Sequence, residues 1–334
     1  MDEFTLIKDL LRPLLTDEGA SVARGLADDA AVLPEQAGRN WVVSKDMLVE
    51  GVHFPKGSDW GPVAASRLIR TNLSDLAAMG ARPEGCFLGL GVHFDAEGTR
   101  WTREFVRRLG SELVTFGLGL WGGDTVRSPD ARFVSLTILG TVSTGNAIGR
   151  SGAEVDDDVY VTGSIGDAAY GLQLLAGQRE VESREVKTFL VDRYQMPTPR
   201  LGLLAALTPH VRAAVDVSDG LLADLGHIAT ASHVSLNVEW SRIPQSAAAR
   251  HISGQNQVPI SVLTHGDDYE IAFTAPPSAA DEILRVSERF SLKISRIGRV
   301  VRKLSPDHEP VNLIDETGQI VTPPVAGFRH GGIK

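Results

Sequence analysis

The chain has 334 residues, 43% of them hydrophobic and 22% charged, and carries a formal net charge of −9. This is the composition of an ordinary globular protein, and the length exceeds what one hydrophobic core usually serves, so two domains of roughly 150 residues each are expected. The acidic balance argues against a nucleic-acid partner, whose phosphates need a basic face. No apolar run reaches the about 20 residues of a membrane span, and the acidic, amphipathic start MDEFTLIKDLLRPLL is unlike a signal peptide, so a cytoplasmic protein without membrane contact is expected. Cys86 is the only cysteine; it lies in the apolar stretch CFLGLGV, which suits a buried structural thiol and leaves no disulfide or cysteine zinc site to consider.

In chain order, Phe4 to Leu15 has the apolar spacing of a helix that could dock on the body of the protein. The segments ADDAAVL, WVVSKDML, CFLGLGV, LGLWGGD and FVSLTILGTV read as short strands, separated by helices at 61–80 and 99–116. The polar stretch GNAIGRSGAEVDDD lacks periodicity and places a boundary near 148–152, giving domains 1–149 and 150–334. Beyond it come strand VYVTG, a glycine-flanked turn SIGD, helices near 167–176, 183–195 and 198–208, and strand AAVDV. A helix from Ser218 to about Ala231 follows, then strands near 234–239, 269–274 and 294–301 with a helix at 278–290. Both halves are mixed α/β, of the α+β type with mixed sheets.

Aspartates mark the ends of these apolar elements. Asp28 and Asp29 precede AAVL, Asp46 ends WVVSKD, Asp75 lies in NLSDLAAMG, Asp124 follows two glycines in WGGDT, and Asp216 and Asp219 flank Ser218 in VDVSDG. Hard divalent cations prefer carboxylate oxygen, and magnesium takes one or two carboxylates per ion together with waters and substrate phosphates. Carboxylates dispersed over the whole chain therefore suit two or more magnesium ions bridging a nucleotide, whereas a calcium loop would pack its ligands into about a dozen contiguous residues. Asn72 and Asp75 share one face of their helix, with Met79 further along it. In VDVSDGLLADLGHIA, Ser218 or Asp219 can cap the helix, but a cap does not explain Asp216, whose carboxylate at the end of an apolar strand needs a cation to offset its desolvation. The following helix terminus could receive phosphate.

No GxxxxGK[ST] P-loop occurs. Gly122 and Gly123 could let backbone amides approach a phosphate in a turn at WGGDT, while TGSIGDAAYG lacks dinucleotide spacing and reads first as structural. Arg150, at the domain junction, offers a fork of donors for nucleotide phosphate or is an exposed linker arginine. His53, beside Phe54 and Pro55, is a candidate substrate contact, ahead of His93, His227 and His265.

At these residues the sequence resembles the thiamine-monophosphate kinase family, part of the larger group that includes aminoimidazole-ribonucleotide synthetase. The resemblance covers nearly the whole chain and is carried by ADDAAVL, SKDMLVEGVHF, RTNLSDLAAMGA, GGDTVR, GRSGA, YVTGSIGDAAYGL, VDVSDGLLADLGHI, HGDDYEI and GFRH. It implies the two-domain fold of the synthetase, a homodimer joined through a shared N-terminal β-barrel, and in-line transfer of the ATP γ-phosphoryl group to thiamine monophosphate. It further implies that Asp28, Asp29, Ser44, Asp46, Asp75, Asp124, Asp216 and Asp219 hold magnesium, with Asp29, Asp46, Asp75 and Asp124 at the catalytic centre. Gly122, Gly123, Arg150 and Ser218 would contact ATP, and His53, Asp267 and Phe328 the thiamine-phosphate end. No general base is needed, because the acceptor is already anionic.

Four departures from the family pattern stand out: Ala27-Asp28-Asp29 for GDD, Ser44-Lys45-Asp46 for S-T-D, His265-Gly266-Asp267-Asp268 for GGED, and a shortened end at GFRH around Phe328. Lys45 cannot ligate metal while protonated; it either neutralises one carboxylate in place of an ion or points away. A selenophosphate synthetase and the hydrogenase-maturation relative are disfavoured because each needs a reactive cysteine absent here. An enzyme like aminoimidazole-ribonucleotide synthetase, a non-catalytic metal- and nucleotide-binding protein, and a metal-dependent phosphohydrolase are the rival readings.

Overall fold

The computed structural model describes residues 31–36, 38–57, 59–208, 210–303, 309–323 and 327. The helix expected at Phe4 to Leu15 lies outside them. The apolar runs of the first half form a five-stranded sheet, β1 (Ala31–Gln36), β2 (Arg39–Val49), β3 (Arg82–Val92), β4 (Gly119–Arg127) and β5 (Phe133–Ser143). Its order is β1-β2-β5-β3-β4, antiparallel except for β3 with β4. Side chains alternate between faces along each strand. Val42, Ser44 and Leu48 of β2 and Val134, Leu136 and Ile138 of β5 are buried on one face, under helices α1 (Gly61–Ala78) and α2 (Ala96–Phe116). The other face carries exposed Met47, Phe87 and Trp121. Among the described residues of one chain this sheet is open, with β1 and β4 as its edges.

The second half forms a seven-stranded sheet in the order β12-β11-β8-β10-β6-β9-β7. Its strands are β6 (Asp158–Thr162), β7 (Ala213–Asp216), β8 (Ser235–Glu239), β9 (Ile271–Ala275), β10 (Ile294–Val301), β11 (Val311–Ile314) and β12 (Ile320–Val321). Every residue of β6, β7 and β9 is buried, because each face meets its own core. Val159, Val161, Val215 and Ala272 pack with α3 (Asp167–Leu175), α4 (Arg184–Gln195) and α6 (Leu221–Ala231). Tyr160, Ala214, Ile271 and Phe273 point the other way, to α5 (Leu203–Leu207), α9 (Ala280–Arg289) and the last turn of α1, where Ala77 and Ala78 are buried. Alternation along β7 puts Asp216 on that second face, toward α1.

Helix α1 thus belongs to both halves, and 14 of its 18 residues are buried, as a helix enclosed on all sides requires. Its polar residues near α2 converge on Glu112, which is 2% exposed. The Ser66 hydroxyl donates to Glu112 at 2.9 Å, Arg70 Nε at 2.9 Å, and Arg108 pairs with it at 2.8 Å.

Several expectations are corrected. The helix read at 198–208 is confined to Leu203–Leu207, starting after Gly202 at φ 76°. The helix after VDVSDG begins at Leu221, behind Gly220 at φ 121°, so neither Ser218 nor Asp219 is its N-cap. The segment WGGDT is not a turn: β4 runs on to Arg127 in parallel register with β3. The short helices α7 (Ala247–Ser253) and α8 (Ile260–Leu263), and strands β11 and β12, were not expected. Among the described residues no helix is long and apolar enough to cross a membrane.

If Glu112 is what seats α1 on α2, Glu112→Ala lowers the free energy of unfolding by about 2–3 kcal/mol, since three donors lose a charged acceptor. Denaturant titration of the variant beside the native protein measures this.

Candidate active site

A cavity of about 350 Å³ opens between the two halves, lined by Asp46, Leu48, Val52 and His53 of the β2 end, Arg67 and Thr71 of α1, and Leu172 and Tyr194. Met47, Ser218, Asp219, His265, Gly266, Asp267 and Tyr269 complete it. Each polar group reaches it for a local reason. On α1, residues three and four apart share a face, so Arg67, Thr71 and Ser74 form one stripe with Asp75 at its margin. Asn72 lies further round the helix; it is fully buried and its Nδ2 donates to the Leu68 carbonyl at 2.8 Å. The functional face is therefore rotated from the Asn72–Asp75–Met79 face read in the sequence.

The stripe binds both sheets. The Ser44 hydroxyl donates to Asp75 at 2.5 Å and the Ser74 hydroxyl to Asp216 at 2.7 Å. Burial raises the Asp46 carboxyl above its ordinary range, opposed by a hydrogen bond from Thr71 and the charge of Arg67. Arg67, itself 4% exposed, donates to Asp267 at 2.5 Å and to the Tyr194 carbonyl, and its guanidinium lies 4.3 Å from the centroid of the Tyr194 ring. Its cationic form is strongly held by that arrangement, above all by Asp267 against the cost of burial. The phenol of Tyr269 is pushed far up by burial and then by Asp267, with Arg67 opposing and Asp46 and Asp216 adding to the rise. Burial dominates these shifts, and at Tyr269 the carboxylates of Asp267, Asp46 and Asp216 add to it.

The 265–270 loop presents Asp267 through a strained backbone. Asp267 and Tyr269 both have positive φ, 73° and 50°, uncommon for residues with a Cβ. The strain is held by the loop's fit to the 217–219 turn: Asp267 N–H donates to the Ser218 carbonyl at 2.9 Å and Tyr269 N–H to that of Val217 at 2.8 Å. A Cβ on Gly266 would sit 2.0 Å from the Ser218 carbonyl oxygen, so only glycine allows this approach. Asp268 beside it is fully buried and accepts from the amides of Gly166 at 2.7 Å and Ala168 at 3.2 Å, tying the SIGD turn to the loop. Glu270 is buried against Arg193, Arg200 and the Thr162 hydroxyl. The SIGD turn is thus structural.

The 218–220 turn hangs from Asp224, whose single oxygen Oδ2 accepts from Ser218, Asp219 and Gly220 at 3.0, 3.0 and 3.1 Å. Burial, then the charges of Asp219 and Asp216, push its carboxyl far up, with Arg150 nearby pulling the other way. Ligand atoms of Asp219, Asp224 and His227 lie within 4.8 Å of one another.

Ser44, Asp46, His53, Asp75, Arg150, Asp216, Ser218, Asp219 and Asp267 are accordingly gathered at or beside the cavity, while Gly122, Gly123 and Asp124 are not. They belong to exposed β4, and Asp124, paired in register with Gly89, faces away from the helices; its carboxylate accepts from the Thr125 amide at 2.8 Å. Asp28, Asp29 and Phe328 lie outside the described residues. Lys45 also points away from the cavity, as alternation along β2 requires, and donates to Ser135 at 2.5 Å and Thr137 at 3.4 Å on β5. The donors at Ser44, Asp46, Asp75, Asp216 and Asp219 are carboxylate and hydroxyl oxygens, a hard set that fits magnesium, with the His227 imidazole beside Asp219 and Asp224 as a nitrogen donor.

The family models of AIR synthase related protein match this chain in two parts, the N-terminal domain over residues 27–142 and the C-terminal domain over 154–308. The thiamine-monophosphate kinase of Caulobacter vibrioides is 40% identical over 334 residues, covering 98% of this chain and 91% of that one. The chain belongs to the thiamine-monophosphate kinase family. A solved thiamine-monophosphate kinase from Stenotrophomonas maltophilia K279a shares 36% identity at a TM-score of 0.75, covering 96% of this chain and 98% of that chain. A second structure, AaThiL complexed with AMPPCP and TMP, superposes with a TM-score of 0.81 at 27% identity, covering 98% and 97%. The fold of this family, two domains of AIR synthase type with mixed sheets, is the one seen here.

Residues of the site missed in the sequence include Arg67, Thr71, Ser74, Tyr194, Asp224 and Tyr269. Arg67 looked like one of several basic residues in SRLIRTN, Asp224 like a mid-helix aspartate, and Tyr269 like the first residue of a strand. A signal for Arg67 and Ser74 was available in their spacing of seven residues, two helical turns on one face. Asp224→Ala, which strands three amides, lowers both melting temperature and turnover. Asp224→Asn, whose amide oxygen can replace Oδ2, is expected to change either one far less; thermal melts and steady-state rates of the pair separate the hydrogen bonds from the charge.

Proposed function

We propose that this chain transfers the γ-phosphoryl group of ATP, in line, to the phosphate of thiamine monophosphate, giving ADP and thiamine diphosphate, as a magnesium-dependent cytoplasmic homodimer. The observation that carries the reading is the cavity between the domains, lined by Asp46, Asp219, Asp267 and the buried Arg67, with Asp75 and Asp216 held beside it by Ser44 and Ser74, in a chain of this family. A phosphate oxygen of the acceptor forms the new bond to Pγ as the bond from Pγ to the β-phosphate oxygen breaks, and ADP leaves. The acceptor oxygen is already deprotonated, so no base is required, and none of the aspartates needs to move a proton. Bound magnesium supplies neutralisation of phosphate charge, and Ser44, Asp46, Asp75, Asp216 and Asp219 would hold it.

The remaining groups have roles that follow from their positions. Ser74 fixes the Asp216 carboxylate and Ser44 fixes that of Asp75, so each metal-facing oxygen is oriented before substrate arrives. Ser218 and Arg150 bind the nucleotide, Arg150 being a cation whose charge is felt at the buried Asp224 under the turn. His53 and Asp267 face the acceptor, and Arg67 holds Asp267 in place through their ion pair at 2.5 Å. The positions of Asp29 and Phe328 in the family motifs support metal and thiamine contacts for them. Gly122, Gly123 and Asp124 join this set only if the exposed face of the first sheet meets a second copy of the chain. That face, with Met47, Phe87, Trp121 and Val126 each more than two-fifths exposed, is the surface we assign to the dimer and its shared barrel.

Purified protein given ATP, magnesium and thiamine monophosphate should release ADP and thiamine diphosphate in equal amounts. ADP without the diphosphate would instead identify a phosphohydrolase, and nucleotide binding without turnover a non-catalytic module. Asp75→Asn should cut kcat by about 100-fold with an unchanged melting temperature, whereas native activity in that variant removes Asp75 from the metal site.

A further inference from the structure

One wall of the cavity, Val52 and His53, belongs to a loop that folds back on itself. The Gly51 amide donates to the Phe54 carbonyl at 2.6 Å, and the Val52 and His53 amides to the Val49 carbonyl at 3.1 and 2.8 Å. The Val49 amide donates to His53 Nδ1 at 3.0 Å. Since a backbone amide can only donate, Nδ1 is an acceptor, and the neutral imidazole carries its proton on Nε2. The loop sets both the place of His53 and its tautomer.

What holds the loop lies behind it. Glu50 is 5% exposed; its Oε1 accepts from the Gly57 amide at 2.9 Å and from Arg132 Nη1 at 2.7 Å, and its Oε2 accepts from the Arg132 amide at 2.9 Å. Arg132, 1% exposed, also donates through Nη2 to Glu97 of α2 at 2.6 Å and lies 5.5 Å from the centroid of the Trp101 ring, which stacks on Phe54 of the loop at 5.8 Å. One carboxylate thus closes both ends of the loop and joins it to β5. A buried pair of this kind returns little net stability, because desolvation offsets its attraction; what it fixes is geometry. Neither Glu50 nor Arg132 lines the cavity.

We propose that Glu50 and Arg132 are positioning residues that hold His53 against the acceptor end of the cavity and so set affinity for the acceptor independently of ATP. This rests on the proposed function, through His53 as an acceptor contact.

Glu50→Gln tests it in three measurements. KM for thiamine monophosphate should rise about tenfold, the loss of one or two charge-assisted hydrogen bonds, with KM for ATP changed less than about twofold. Added to His53→Ala, Glu50→Gln should raise the acceptor KM no further, because it acts through the residue already removed. Amide exchange at Gly51, His53 and Gly57 should quicken while the 61–78 helix is unchanged, a readout that stands whether or not the enzyme phosphorylates thiamine monophosphate. Equal rises in both KM values, an additive double variant, or unaltered exchange at the loop each overturn the proposal. If wild-type protein does not turn over thiamine monophosphate, the functional reading fails and the exchange result still decides the loop. Should Glu50→Gln not fold, Arg132→Lys, which keeps the charge and loses the fork between Glu50 and Glu97, should show the same split with a smaller rise; an equal rise in both KM values in that variant also refutes it.

Discussion

A polar stripe on an enclosed helix has to be satisfied by whatever encloses it, and that requirement organises this protein. Along α1, Arg67, Thr71, Ser74 and Asp75 sit where water is largely excluded, and unpaired polar groups there are costly. Their partners come from opposite directions: Ser44 and Asp46 from the first sheet, and Asp216, Asp267 and the Tyr194 carbonyl from the second half. The two halves therefore meet around a line of hydrogen bonds and charges as well as around the apolar cluster of Ala77, Ala78 and Ile148.

The same arrangement accounts for an acidic site that remains folded. Carboxylates from four elements repel one another, and each is anchored separately: Asp75 by Ser44, Asp216 by Ser74, Asp267 by Arg67, and the turn bearing Asp219 by the amide-bonded Asp224. Hydroxyl donors recur because they hold a carboxylate without neutralising it, leaving its charge for a cation. Arg67 is the exception, and it sits at the substrate side, where a neutralised Asp267 repels an incoming phosphate less.

Much of this was legible in the sequence, for definite reasons. Long apolar runs such as FVSLTILGTV and LIRTNLSDLAAMG identify strand and helix because burial on one or both faces writes itself into periodicity. Asp46, Asp75, Asp216 and Asp219 stood out because carboxylates within or beside apolar elements recur along the chain, and burying a carboxylate is costly without a partner or cation. What could not be read were facts that depend on partners distant in sequence: Arg67 meets Asp267 across 200 positions, and Ser74 meets Asp216 across 142. The start of α6 was misplaced because Ser218 and Asp219 have good capping side chains, yet tertiary contact with the 265–270 loop drew their backbone out of the helix. Gly122 and Gly123 were read as a turn because paired glycines usually are one; here they let β4 run close along β3, where a Cβ on Gly123 would meet the Leu88 carbonyl oxygen at 2.0 Å.

The double allegiance of α1 also limits how the sequence can drift. Side chains along it can be exchanged one at a time, but its length cannot. An α-helix advances about 100° per residue, so one residue gained or lost between Thr71 and Ser74 would turn Ser74, Asp75, Ala77 and Ala78 away from their partners while Arg67 and Thr71 kept theirs. Insertions and deletions should thus collect in the loops of this protein and spare the 61–78 segment, which serves as a ruler between the two halves.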